Sequence, residues 1–233
     1  MASKLVKRPL KTTLIQLVGA ARRGVRHAKL ERLDTPSGLG ASAWALYGLV
    51  RAMRPHVCVE IGSASGRSAG FIGAALRDIG VGKLYAIDPH TATAWNDDGP
   101  VDTLATLRRT LRWLGVARHV EIVRQHSDAA ARDWALPIDL LFIDGDHSYA
   151  GVRRDWELFA PFVTPFGAVV FHDTLWDVRP DPALQRQDMG VPRFVEQLRQ
   201  QDYPVLTFEN DFGVSIVQPA RHGVALQPPV LAQ

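Results

Sequence analysis

Apolar residues in this chain follow two rhythms. Short, almost continuously apolar runs stand at Val57–Ile61, Lys83–Ile87, Val120–Val123, Ile138–Ile143 and Gly167–Phe171. Runs this short and this apolar suit strands buried on both faces. Between them, apolar residues recur every three or four positions, the spacing of a helix with one buried face. The spacing predicts helices over 67–78, 103–114, 127–134, 149–162 and 191–200. Leu104, Leu107, Leu111 and Leu114 share one face of the second. Val152, Trp156, Phe159 and Ala160 share one face of the fourth. Val205–Phe208 and Val214–Val217 add two strands joined by the short loop Glu209–Gly213, so these two should run antiparallel. The pattern predicts an α/β fold: a doubly wound, mostly parallel seven-stranded sheet with an antiparallel last strand, preceded by N-terminal helices. Three regions are expected: a basic helical extension and cap helix over 1–54, the sheet domain over 55–220, and a tail over 221–233.

In such a sheet, ligands sit beyond the carboxyl ends of the strands, where strand order reverses. The polar residues of interest fall there. Glu60, Gly62, Ser63, Gly66 and Ser68 follow the first strand, Asp88 the second, and Ser127 and Asp128 the third. Asp144, Asp146 and His147 follow the fourth, and His172 and Asp173 the fifth.

Composition narrows the setting. The chain has 233 residues, enough for a core without staples. Its single cysteine, Cys58, allows no internal disulfide and no cysteine-based zinc site, as in a reducing compartment. No apolar run approaches the length of a membrane span. Residues 1–30 carry eight basic side chains and no acidic one, leaving 19 basic against 24 acidic in the remainder. The expected body is therefore acidic, which argues against a nucleic-acid substrate. The basic segment is expected either to pack as a solvated helix or to touch an anionic surface, including a membrane. Its acid-free, Arg-rich composition also leaves a transit peptide open. A cytoplasmic protein, peripherally membrane-associated at most, is expected.

The loop Glu60-Ile-Gly-Ser-Ala-Ser-Gly-Arg-Ser68 puts glycines at a strand-to-helix turn, where a ligand can approach the backbone. Ala64 stands where a dinucleotide loop has its middle glycine, so a pyrophosphate is disfavoured. Asp88 can accept hydrogen bonds from a ribose, and Glu60 suits a cationic group. The plainer alternative is a tight turn capped by Ser63 or Ser65, with Asp88 solvated.

These segments, with Tyr85-Ala-Ile-Asp88, His126-Ser-Asp128, Leu141-Phe-Ile-Asp-Gly-Asp-His-Ser-Tyr149 and Gly167-Ala-Val-Val-Phe-His-Asp-Thr174, resemble class I S-adenosylmethionine-dependent methyltransferases. More narrowly, they resemble the metal-dependent O-methyltransferases: catechol types, macrolide sugar enzymes and a cephalosporin-biosynthesis enzyme. The resemblance spans about residues 57–217. It implies that Glu60, Gly62, Ser63, Gly66 and Ser68 line the methionine part of S-adenosylmethionine, that Asp88 holds the ribose, and that Ser127 and Asp128 lie by the adenine. Asp144 is implied both at the cofactor and as a catalytic residue, and His147 as the catalytic base. Asp144, His172 and Asp173 are implied as ligands of a divalent metal, Mg²⁺ or Mn²⁺. His172 stands where the family has a carboxylate, and imidazole suits Mg²⁺ poorly.

The chemistry implied is methyl transfer to a hydroxyl of a sugar, glycosylated small molecule or glycolipid, by a chain expected to form homo-oligomers. Two other readings are a nicotinamide-dependent oxidoreductase and a non-catalytic cofactor-binding scaffold. Asp144, His147 and Asp173 could also be loop and helix caps, and Asp146 could serve metal or cofactor. The segments after the second and fifth strands, with Trp95 and with Trp176–Asp188, are candidate lids over an acceptor.

Overall fold

The structure is a computed structural model that describes residues 10–92, 95, 102–176, 186 and 188–219, with side chains from residue 18 onward. It divides into two compact units, Met1–Asp34 and Thr35–Gln233. The first contains α1 (Leu10–Glu31), with no acidic residue in its first turn and Lys29 in its last. No helix among the described residues is long and apolar enough to cross a membrane. The expected tail over 221–233 lies outside the described residues.

The second unit contains α2 (Ala43–Met53) as its first helix. It continues β1 (Val57–Ile61), α3 (Arg67–Ile79), β2 (Lys83–Ile87), α4 (Thr103–Leu114), β3 (Val120–Val123), α5 (Ser127–Arg132), β4 (Ile138–Ile143), α6 (Tyr149–Phe159), β5 (Val163–His172), α7 (Val191–Gln200), β6 (Val205–Phe208) and β7 (Val214–Val217). The sheet order is β3-β2-β1-β4-β5-β7-β6. Strands β1 to β5 are mutually parallel. β7 inserts between β5 and β6, antiparallel to both. This is the expected doubly wound sheet, and the order reverses between β1 and β4. β5 starts four residues earlier than its apolar run, because Val163 already pairs with Ile138 ahead of a register shift.

Alternation along the central strands builds two cores. Val59, Ile61, Leu141, Ile143, Val169 and Phe171 pack with Val152 and Phe159 of α6 and with Phe194 and Leu198 of α7. Cys58, Leu84, Leu140 and Phe142 point to the other face, where α3 packs on the sheet and α2 and α4 pack on α3. Phe142, Phe159 and Phe171 are fully buried, and each contributes about 1.5–3 kcal/mol of transfer free energy. Burial also pushes the Cys58 thiol pKa far up, so it is an inert core residue.

The strand ends are tied together by the main chain. Gly62 N–H donates to Ile87 O, Asp88 N–H to Val123 O, and Asp144 N–H to Ile61 O. The loops after β1, β2 and β4 therefore meet as an extension of the sheet.

Candidate active site

The loop after β1 is shaped by Gly62, Ala64 and Gly66, all at positive φ. Gly62 has φ +87°, and a Cβ there would lie 2.1 Å from the Asp144 carbonyl oxygen. The loop after β1 can approach that after β4 this closely only with glycine. Gly66, at φ +88°, is the N-cap of α3, and its missing Cβ leaves room for Leu107. Ala64 adopts φ +38°, an uncommon conformation for a residue with a side chain. Asp88 holds it there: one carboxylate oxygen accepts from Ala64 N–H at 2.8 Å and the other from His90 N–H at 2.6 Å. Each oxygen keeps a further lone pair, so Asp88 is a loop clamp that can still take a diol.

Glu60, the last residue but one of β1, is fully buried. Neither carboxylate oxygen has a well-formed hydrogen bond, and the Ser63 hydroxyl beside the loop also lacks a partner. Burial pushes the Glu60 carboxyl up to about 8; the nearby Ser68 hydroxyl offsets only part of this, and Asp144 and Asp88 add to it. An unpartnered buried carboxylate is costly, and a cationic ligand would relieve that cost.

The expected adenine residues are placed differently from one another. Ser127 starts α5 after His126, and its side chain opposes the rise that burial causes in the Asp155 pKa. Asp128 is exposed and 4.0 Å from Arg132. Asp146 accepts from Ser148 N–H at 2.9 Å and from Trp95 Nε1–H at 3.1 Å. It thus fixes the start of α6, which Ser148 caps.

The ends of β4 and β5 bring Asp144, His147 and Asp173 together. One ligand-type atom from each lies within 4.8 Å of the others. His147 Nδ1 is 2.9 Å from Asp173 Oδ2. A carboxylate accepts only, so Nδ1 carries the proton and Nε2 the lone pair. Burial disfavours the charged ring, but the hydrogen bond to Asp173 and the carboxylates of Asp173 and Asp144 outweigh it and raise the His147 pKa. Asp173 sits at φ +60°, a strained conformation of the kind that collects at functional sites. Its carboxyl is buried, yet the His172 charge and the His147 hydrogen bond hold its pKa below the usual value. The ring of Trp95 stands edge-on to His147 at 5.0 Å, with the Arg186 guanidinium 3.9 Å from the Trp95 centroid. The two candidate lids therefore meet over His147 at these residues. Residues 96–101, 177–185 and 187 lie outside the described residues.

His172 does not join the triangle as a ligand. Its Nδ1 donates to Asp144 Oδ1 at 3.1 Å and lies 3.3 Å from Asp173 Oδ1. Its Nε2 is 2.9 Å from the Asp211 carbonyl. Burial opposes its charge, but Asp144 and Asp173 raise its pKa to about 9. Asp144, His147 and Asp173 form a set that could hold a divalent ion, and the buried Asp173 Oδ1 has no hydrogen-bond partner. His172 lies beside this set, with its Nδ1 turned to Asp144.

Sequence reasoning missed the surroundings of His172. Asp211 Oδ2 accepts from Ser42 N–H at 2.6 Å, and Arg67 donates to the carbonyls of Leu39 and Gly40. The segment before α2 and the β6–β7 turn therefore lie against the site. No signal in the sequence pointed there, because the pairing of β7 beside β5 is a long-range event.

Residues 59–174 match the family described as Methyltransferase domain. Solved structures with the same fold include the S-adenosylhomocysteine-bound methyltransferase PaMTH1 of Podospora anserina, at 16% identity and TM-score 0.61, covering 94% of this chain and 99% of that one. The O-methyltransferase TomG of Streptomyces achromogenes, involved in tomaymycin synthesis and solved with S-adenosylmethionine, shares 19% identity at TM-score 0.58, covering 92% of each chain. An O-methyltransferase of Bacillus cereus in complex with S-adenosylhomocysteine shares 16% at TM-score 0.55, covering 92% of this chain and 93% of that one.

Proposed function

Because residues 59–174 are a methyltransferase domain of the class I, S-adenosylmethionine-dependent fold, we propose that the protein methylates a hydroxyl oxygen with His147 as general base. The observation that supports this is the His147 Nδ1–Asp173 Oδ2 pair at 2.9 Å, which in the neutral ring leaves the lone pair on Nε2. Orphaned polar atoms support the cofactor assignment. The buried, unpartnered Glu60 carboxylate and Ser63 hydroxyl offer acceptors for an ammonium group, and Asp88 offers them for a ribose. Gly62, Gly66 and Ser68 line the same loop, and Ser127 and Asp128 are carried as its adenine side.

Bound S-adenosylmethionine supplies a methyl group on a sulfonium. His147 Nε2 accepts the hydroxyl proton while the acceptor oxygen forms its bond to the methyl carbon and the carbon–sulfur pair returns to sulfur. Asp173 keeps the ring in the productive tautomer and stabilises the imidazolium that forms. Asp144 adds negative charge beside the same ring. An alcohol of pKa far above 7 needs such a base. Trp95 beside His147 suits a sugar face or a glycosylated small molecule, the acceptor class we favour. A homo-oligomer, and contact of residues 1–30 with an anionic membrane, are carried as further proposals, checked by sedimentation and by vesicle flotation.

The test is calorimetric titration with S-adenosylhomocysteine, followed by transfer of labelled methyl from S-adenosylmethionine to a panel of sugars, glycosides and catechols. Binding together with label on an oxygen supports the reading. Failure to bind overturns it.

A further inference from the structure

We propose that α1 lies in the surface of an anionic membrane, with the arc that carries Val18, Ala21 and Val25 sunk among the lipids and its basic side chains at the headgroups. This gives the membrane contact of residues 1–30 a face and a lipid chemistry, and it holds whether or not the chain transfers a methyl group. The observation behind it is an inverted helix. A surface helix ordinarily turns its apolar stripe toward a core. By residue spacing, positions Leu10, Leu14, Leu17, Val18, Ala21 and Val25 of α1 fall in one arc of about 100°. On that arc Val18 is 43% and Val25 62% exposed, and Ala21 is exposed as well. The covered residues stand on the opposite side: Arg26 is 6% and Leu30 1% exposed. The helix thus buries an arginine and presents its valines.

Charge indicates what covers the arc. Residues 1–30 carry eight basic side chains and no acidic one. By the same spacing Lys11, Arg22 and Lys29 fall along one border of the arc, and Arg22 and Arg23 are exposed. Two such helices side by side would set like charge against like charge, which disfavours a second copy as the partner. A nucleic acid would answer the charge but not the valines. An anionic bilayer answers both. Apolar side chains enter the boundary between headgroups and acyl chains, while Lys and Arg reach up to the lipid phosphates. A helix of this kind lies in the plane of the surface, not across it.

The test is flotation of the full chain with vesicles of phosphatidylcholine alone and of phosphatidylcholine mixed with phosphatidylglycerol. Melting temperature and S-adenosylhomocysteine binding are followed in parallel. At low salt the wild type should partition at least about tenfold better onto the anionic vesicles. Raising the ionic strength from about 0.1 to about 1 M should remove most of that preference. The double variant Val18→Asp/Val25→Asp should lose at least about tenfold in partition and melt as the wild type does, since both side chains are exposed. Val18→Leu and Val25→Leu should each gain up to about fourfold, the worth of one added methylene among the lipids. Arg22→Glu/Arg23→Glu should lose the preference for anionic lipid. No flotation on anionic vesicles at low salt would overturn the proposal. So would flotation that charge reversal abolishes and the aspartates leave unchanged, the mark of adhesion by charge alone. Binding of a mixed-sequence RNA without any flotation would assign the charge to a nucleic acid instead. Aspartates that dissociate a dimer in sedimentation and leave flotation intact would make the arc a contact between copies. If the aspartate variant fails to fold, the leucine variants and the lipid and salt dependence still decide. Loss of S-adenosylhomocysteine binding by the wild type would sink the methyltransferase reading and leave the flotation result standing.

Discussion

His147 Nδ1 and Asp173 Oδ2 stand 2.9 Å apart across the ends of two adjacent parallel strands. That single contact sets tautomer, orientation and charge of the proposed base. Replacing His147 with Asn keeps a polar side chain of similar reach to Nδ1 but no base. It should lower turnover by roughly 10²–10⁴-fold, the usual worth of a general base. Affinity for S-adenosylhomocysteine should stay near wild type, since no cofactor-loop residue is touched. Full activity in this variant would remove His147 from the mechanism.

The pH profile should report the same pair. A base acts in its neutral form, and the His147 pKa is raised above its ordinary value. The rate should therefore climb with pH through a limb above about 6.5, the unperturbed histidine value. Asp173→Asn removes the negative charge and weakens the hydrogen bond that raise it. The limb should move to lower pH while the plateau rate drops. A limb that moves upward, or does not move, would assign the ionisation to another group.

Glu60 predicts a proton linkage in cofactor binding. Its carboxyl is pushed up to about 8 in the free protein, so most of it is protonated at pH 7. A cationic ligand group favours the ionised form, and binding must then release a proton. Affinity for S-adenosylhomocysteine should weaken as pH falls below 8, by up to about tenfold per unit. Titrations in buffers of different ionisation heat should register close to one proton released at pH 7. Glu60→Gln should abolish both effects and bind more weakly at pH 8.5. A pH-independent affinity in the wild type would show that Glu60 does not meet the ligand's charge.

His172 carries the opposite linkage to stability. Its folded pKa, about 9, lies above the unfolded value, so folding binds a proton. The stabilisation is fully present below about pH 6.5 and is lost as pH rises through about 9. The melting-temperature gap between wild type and His172→Gln should therefore be wide at pH 6 and narrow by pH 10, read by calorimetric scans. A gap that is constant with pH would mean that the ring acts by packing alone.

Much of this was legible in the chain because the relevant signals are local. A nearly continuous apolar strand such as Ile138–Ile143 announces a sheet buried on both faces, and the polar residue that follows it announces the crevice. The convergence of Glu60, Asp88, Asp144, His147 and Asp173 follows from parallel strands whose carboxyl ends share an edge. The role of His172 was not legible. In β5 it pairs with Val214 of β7, and only that pairing brings the Asp211 carbonyl to its second nitrogen. The clamp by Ser42 joins residues 169 positions apart, a separation at which no periodicity carries information. Asp88 was half legible: its place at the end of β2 was, but its grip on Ala64 N–H was not.

Gly62 offers the sharpest test of how the loops after β1 and β4, the proposed cofactor and catalytic loops, are joined. At φ +87° the backbone is costly for any residue with a Cβ, and the added carbon would overlap the Asp144 carbonyl at 2.1 Å. Backbone strain alone costs about 1–3 kcal/mol, and the overlap must be relieved by moving one strand end from the other. Asp144 N–H is bound to Ile61 O, so that displacement breaks the link that registers the two loops. Gly62→Ala should therefore lower the melting temperature by several degrees and weaken S-adenosylhomocysteine binding at least tenfold. Gly80→Ala is the control. It also lies at positive φ, but a Cβ there meets nothing within 4 Å, and it lies at the far end of α3. It should cost a similar amount of backbone strain and leave cofactor affinity unchanged. Equal losses of affinity in the two variants would mean that strain in general, not the contact between Gly62 and Asp144, governs the site.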